Sequence, residues 1–225
     1  MALTQEQVVK RAVDLMAEAG LEALTLRRLA TELGVSAPTL YWHVRDKRQL
    51  LDLMAEALVA QEDRSTTPAH GQPWWDWLAE RARVQYRALV SHRDAALVVA
   101  GNRPTEARLP EIEQVLASLV VVGFPPAEAL RTVLSIANYV IGCAVERQAE
   151  AARPPDPDRD DRLVARIRAA GDLPTLTAAM AGLGEPGSPA AGDAGFEHGL
   201  ALLIAGVRAR HAELVGGPMA ASVPH

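Results

Sequence analysis

The 225-residue sequence predicts an all-α protein: an N-terminal three-helix head containing a helix-turn-helix, followed by a larger helical core. Three observations carry this. Apolar residues recur at the 3.6-residue helical period along most of the chain. Ala and Leu, strong helix formers, are abundant, whereas aromatic residues are only 4%. Gly and Pro gather at the breaks between periodic segments.

The elements follow in order. Val8, Val9, Ala12, Val13, Leu15, Met16 and Ala19 make the apolar stripe of a helix over about 5–19. Thr4 and Gln7 have capping-box spacing, and Gly20 is a stop signal. A second helix is expected over about 26–33, capped by Thr25 and ended by Gly34, with Leu26, Leu29, Ala30 and Leu33 inward. Ser36 caps a third, over about 37–43, and Pro38 is tolerated in its first turn. A fourth covers about 46–62. A polar joint over 64–73 precedes further helices at about 74–91, 94–100, 106–122, 126–151 and 159–170. A Gly/Pro/Ala-rich loop is expected over 182–194, and a last helix over 195–215. The resulting organisation is a helix-turn-helix domain (1–48), a linking helix (49–63), a helical domain (64–215) and a disordered tail (216–225).

The formal net charge of −5 argues against a protein that coats nucleic acid. Residues 1–50 nevertheless carry seven Lys/Arg against six Asp/Glu, so the positive charge is local. No stretch approaches the roughly 20 apolar residues that span a bilayer. The opening residues lack signal-peptide character, and a cytoplasmic protein without a membrane partner is expected. Cys143 is single, so no internal disulfide forms; it reads as a small buried core residue. His70, His92, His198, His211 and His225 show no metal-ligand spacing. No nucleophile–base pair, phosphate loop or cofactor motif is present, which leaves an all-helical enzyme as a remote reading.

The strongest signal runs from Leu26 to Lys47. Two short helices meet at Gly34-Val35, where Gly supplies a positive φ that other residues resist. In such a motif the second helix enters the major groove of DNA, N-terminal end first. Ala37, Pro38 and Thr39 are then positioned for base edges, with Trp42 and His43 one turn on. Tyr41, His43 and Lys47 suit phosphate oxygens, and Arg27 suits a base or a phosphate. Tyr41 and Trp42 also read as core aromatics between short helices, and Arg45 and Arg48 as a solvated face.

The run from Leu24 to Val35, with Pro38-Thr39-Leu40-Tyr41-Trp42-His43-Val44 and Lys47-Arg48 to Leu50-Leu51-Asp52, resembles the DNA-binding domain of the TetR family. Within it, the Pro-Thr-Leu-Tyr-Trp-His-Val run matches the tetracycline-repressor branch residue for residue. Arg93 to Ala96 and Gly101 to Pro104 resemble that branch's pocket mouth. Gly142 to Glu146 and Phe196 to Leu203 resemble its subunit-pairing helices.

The resemblance implies a homodimeric repressor that is released from a palindromic operator by a small-molecule inducer. Phe196, Leu200, Leu203 and Val207 would then pair subunits, and the apolar helix 126–151 would pair alongside, unless it is simply buried in a monomer. The pocket would be lined by Trp77, Arg81, Gln85, Val99, Asn102, Arg103, Val115, Leu130, Val133 and Asn138. Arg81 would anchor an acidic group or pair at the surface with Glu80 or Asp76. Trp74, Trp75 and Trp77 would pack head on body, Trp77 being placed best for the pocket. The branch's metal-contacting His falls at Val99, its other drug-contacting residues at Asp63, Arg81 and Val115, and its metal-network Glu is kept as Glu146. With the imidazole gone, the inducer is expected to be not tetracycline but another largely apolar molecule, such as a polyketide. A ligand-independent regulator or activator of the same fold is the alternative.

Overall fold

The computed structural model describes residues 3–60, 65–154, 156, 162, 165–167, 169, 171–183 and 189–216. Every regular element among them is a helix. The expectations for Asp63, Arg64, most of 159–170, residues 184–188 and the tail beyond Gly216 fall outside the described residues.

The head is built by local capping and one shared apolar face. In α1 (Gln5–Ala19) the Thr4 hydroxyl accepts from Gln7 N while the Gln7 side chain accepts from Thr4 N, closing the capping box. α2 (Leu26–Glu32) is capped by the Thr25 hydroxyl, which accepts from Arg28 N at 3.1 Å. Ser36 caps α3 (Ala37–Tyr41), and the Asp46 carboxylate accepts from Gln49 N at 2.7 Å ahead of α4 (Lys47–Ala60). Val8, Leu15, Met16, Leu29, Leu40, Leu50 and Met54 are buried together. Arg11 reaches Glu18 at 2.9 Å and Glu32 at 2.7 Å, bracing α1 on α2. The third helix ends two residues earlier than expected: Trp42 and His43 form a tight turn that returns their N–H groups to Thr39 and Leu40, which lets Val44 into the core.

The body comprises α5 (Trp74–Val90), α6 (Ala95–Val99), α7 (Leu109–Val121), α8 (Pro126–Ala152), α9 (Pro174–Leu183) and α10 (Pro189–Gly216). α8 lies along α5, and α10 packs across both. Tyr86 of α5 stacks on Phe196 of α10 at 3.9 Å, and the Tyr139 hydroxyl of α8 donates to the Phe196 carbonyl at 2.8 Å. Burial pushes the phenols of Tyr86 and Tyr139 above their ordinary pKa.

Several boundaries depart from expectation. The helix expected over 106–122 opens as a 3-10 turn, Glu106–Arg108, before α7, whose first turn holds Pro110. α9 was not expected. α10 starts at Pro189, inside the expected loop, because Pro opens a helix well and Ala-rich sequence continues it. Of 159–170, residues 162, 165–167 and 169 are helical. α8 is long and apolar enough to cross a membrane by length and composition, contrary to the reading that no stretch approaches this; here it packs on α5, α6, α7 and α10. Cys143 is half-buried rather than buried.

The three tryptophans do not join head to body. Trp74 packs edge-on against Phe124 at 5.1 Å and beside His211, Arg208 stacks over Trp75, and the Trp77 indole donates to the Ser65 carbonyl at 3.0 Å. The head instead meets the body through α4 on α6 and through Asp94. The Asp94 backbone is left-handed (φ +60°), and its carboxylate accepts from Leu21 N at 2.8 Å.

Candidate DNA-binding surface and ligand cavity

Gly34 turns the chain between α2 and α3 at φ +66°, a conformation that costs an L side chain energy. The turn is closed by Val35 N donating to the Ala30 carbonyl at 3.0 Å. Leu40 is buried and roots α3, while Ala37, Pro38, Tyr41 and Lys47 are exposed and Thr39 and His43 half-exposed. Trp42 is 88% exposed, so the reading of it as a core aromatic falls. Gln5 donates to the His43 carbonyl at 2.8 Å and fixes the end of the motif on α1. Arg27, Arg28, Arg45 and Arg48 are also exposed. The motif thus presents a large exposed indole just past its buried root, Leu40, and exposed apolar surface of that size is available to a partner.

The linking helix and the body together line a half-open cavity of about 370 Å³. Its walls come from α4 (Ala55, Glu56, Val59), α5 (Leu78, Arg81, Ala82, Gln85), the Val99–Pro104 loop, Arg108 and α7 (Glu111, Ile112, Val115, Leu116), and α8 (Val133 to Ile141). The structure brings Arg81, Gln85, Val99, Asn102, Arg103, Val115, Val133 and Asn138 of the expected set into this wall. Trp77 and Leu130 are not in it. The Trp77 indole is turned away by its bond to Ser65, and Leu130 is on the outer side of α8. Arg81 is not paired with Glu80 or Asp76: it reaches Glu111 at 3.8 Å, binds the Ser65 carbonyl and lies over Trp77. Burial pushes its guanidinium below the ordinary pKa. Glu56, Arg108 and Glu111 escaped sequence reading, since they become neighbours only when α4, α5 and α7 close the cavity.

The cavity loop is tied to the linking helix at three points. Arg48 donates to the Gly101 carbonyl at 2.8 Å. Asn102 reaches the Asp52 carbonyl at 3.5 Å. The Glu56 carboxylate accepts from Thr105 N at 2.7 Å and from the Thr105 hydroxyl at 2.9 Å.

Two of the four residues expected to pair subunits face inward in the protomer. Phe196 and Leu200 are buried within their own protomer, under Tyr86 and Tyr139 and among α5 and α8, while Leu203 and Val207 are half-buried. α10 is apolar on both faces. Its outward stripe is Leu202, Ala205, Ala209 and Ala212, all exposed.

Residues 8–54 match the family model of bacterial regulatory proteins, tetR family, and residues 67–211 match the tetracyclin repressor-like C-terminal domain. The chain belongs to the TetR family. It is a helix-turn-helix transcriptional repressor of that family with a ligand-binding C-terminal domain. Similar to it is the tetracycline repressor protein class A from transposon 1721 of Escherichia coli, 35% identical over 92% of each chain. Among solved structures, TetR class A in complex with 5a,6-anhydrotetracycline and magnesium is 30% identical, with a TM-score of 0.67, covering 92% of this chain and 99% of that one. The TetR-family protein ActR of Streptomyces coelicolor, in complex with actinorhodin, is 26% identical with a TM-score of 0.79, covering 95% and 99%.

A magnesium chelate does not fit this TetR-family cavity. Among the described residues no histidine lines it, Glu56 is engaged by Thr105, and Glu111 is engaged by Arg108. Glu146 is exposed and outside the wall.

Proposed function

We propose that this TetR-family chain acts as a cytoplasmic homodimer that occupies a palindromic DNA operator and leaves it when a small molecule, other than tetracycline, fills the cavity. Arg27, Ala37, Pro38, Thr39, Tyr41, Trp42, His43 and Lys47 would meet the DNA, with α3 in the major groove. The outward stripe of α10 would pair two subunits, setting the heads one helical turn apart on a two-fold axis. The protein performs no chemistry in this reading.

The observation that carries the proposal is the triple tie between the cavity loop and α4, through Arg48, Asp52 and Glu56. A ligand that displaces Asn102 or Arg103 pulls on the helix that holds the head. Coupling is reciprocal, so ligand and operator must weaken each other by one common factor. Small molecules that raise the melting temperature of the protein would be titrated against a fluorescent operator. Hits that release the operator support the reading. Hits that bind the cavity and leave operator affinity untouched refute it.

A further inference from the structure

The end of α5 is finished by a side chain from another helix. The last carbonyls of an α-helix have no partner within it, and those of α5 are met one at a time. Ser91 N donates to the Arg87 carbonyl at 3.0 Å, and the Ser91 hydroxyl donates to the Ala88 carbonyl at 2.9 Å. The next carbonyl is taken by α8. Gln148 Nε2 donates to Leu89 at 2.8 Å and to the His92 carbonyl, in the turn that follows, at 2.7 Å. The Gln148 amide oxygen is buried without a hydrogen-bond partner among the described residues. An unpaired buried acceptor is costly, so what the amide supplies here is two donors for two carbonyls of one turn.

Two residues beyond His92 the same turn reaches the head. Asp94 precedes α6, yet its carboxylate does not cap that helix. It accepts from Leu21 N, between α1 and α2, at 2.8 Å. The neighbouring Gly20 leaves room for this approach: a Cβ there would lie 2.9 Å from Arg93 Nη2 and 3.3 Å from the Asp94 carboxylate. Neither Gln148 nor Asp94 lines the cavity, and neither takes part in the ties of Arg48, Asp52 and Glu56 to the cavity loop. The head is therefore attached to the body at two separate places. A head held at one place swings about it, and a second attachment removes that freedom before DNA arrives.

We propose that Gln148 is a positioning residue for operator reading: it holds the α5–α6 turn on α8, and that turn, through Asp94, seats the head at a fixed orientation to α8 and to α10 packed on it. This rests on the reading of the protein as a two-headed dimer on a palindrome. The attachment sets how strictly the two heads demand one half-site spacing, and it does so without touching DNA or the cavity.

The test uses the full-length protein and two duplexes: the palindrome most enriched from genomic DNA by the wild type, and the same duplex with one base pair inserted at its centre. The insertion moves a half-site by about 3.4 Å and turns it by about 35°. The wild type should prefer the unaltered duplex by about tenfold or more. Gln148→Met, which keeps the length of the side chain without its donors, should bring that preference below about threefold, as should Asp94→Gly. Asp94→Asn, whose amide oxygen can still accept from Leu21 N, should restore it. Hydrogen exchange at the Leu21 amide should rise in Gln148→Met as in Asp94→Gly, while amides within α1 keep their protection. Glycine suits the left-handed backbone of Asp94, so that variant reads the attachment even where Gln148→Met lowers stability. A spacing preference as sharp as the wild type's in both variants overturns the proposal. Leu21 exchange unchanged in Gln148→Met overturns the role of Gln148 and leaves the seat to Asp94. A wild type indifferent to the inserted base pair overturns the two-headed reading itself.

Discussion

At the scale of single residues, exposure and close approach separate function from packing. Trp42 leaves the helix-turn-helix into water, and no hydrogen bond or ring contact engages it among the described residues. Trp42→Ala should weaken operator binding by about tenfold or more at fixed salt, with stability changed by less than about 0.5 kcal/mol. Fluorescence anisotropy and thermal melting check the two halves. Gly199 is the opposite case. A Cβ there would run into the Tyr139 hydroxyl and lie 2.8 Å from its Cζ, against the ring that backs Phe196. Gly199→Ala should cost about 1–3 kcal/mol by overpacking, seen as a lower denaturant midpoint. The exposed face of the helix-turn-helix was legible in sequence because its spacing is local. Trp77 and Leu130 were not, because the direction of an indole or a leucine depends on what the other helices place beside it.

At the scale of elements, α4 is the shared part: its first turns belong to the head and its later turns wall the cavity. Glu56 is the strongest of its ties, since two bonds from Thr105 meet one carboxylate. Glu56→Gln should raise amide hydrogen exchange at Thr105 by about an order of magnitude, while amides within α1 keep their protection. Unchanged exchange at Thr105 would show that the loop is held by other contacts. Helices with one apolar stripe and a clear cap, such as α1 and α2, could be read from the sequence to within a residue or two. α9 and the start of α10 lie in Gly- and Pro-bearing sequence that masks helical period. α10 carries apolar residues on two faces, so period alone could not say which stripe fills its own core. Phe196 and Leu200 proved to be the inward one.

At the scale of the whole molecule, the proposed reading of a palindrome needs two heads, and therefore two chains. Leu202, the one large side chain of the outward stripe of α10, is 63% exposed. Leu202→Asp should raise the dimer dissociation constant by about two orders of magnitude, since it places a charge in an apolar contact, and operator affinity should fall with it. Sedimentation velocity reads the first effect. The all-helical plan with its N-terminal helix-turn-helix was visible in the sequence, but the cavity's charges were not, because Glu56 lies some fifty residues from Arg108 and Glu111. The decisive measurement is selection of genomic DNA fragments by the full-length protein at fixed salt, followed by sequencing. Enrichment of one or a few palindromes, with half-sites about 10 base pairs apart, is the expected result. Binding without sequence preference, with affinity that collapses at moderate salt, would contradict a sequence-specific repressor.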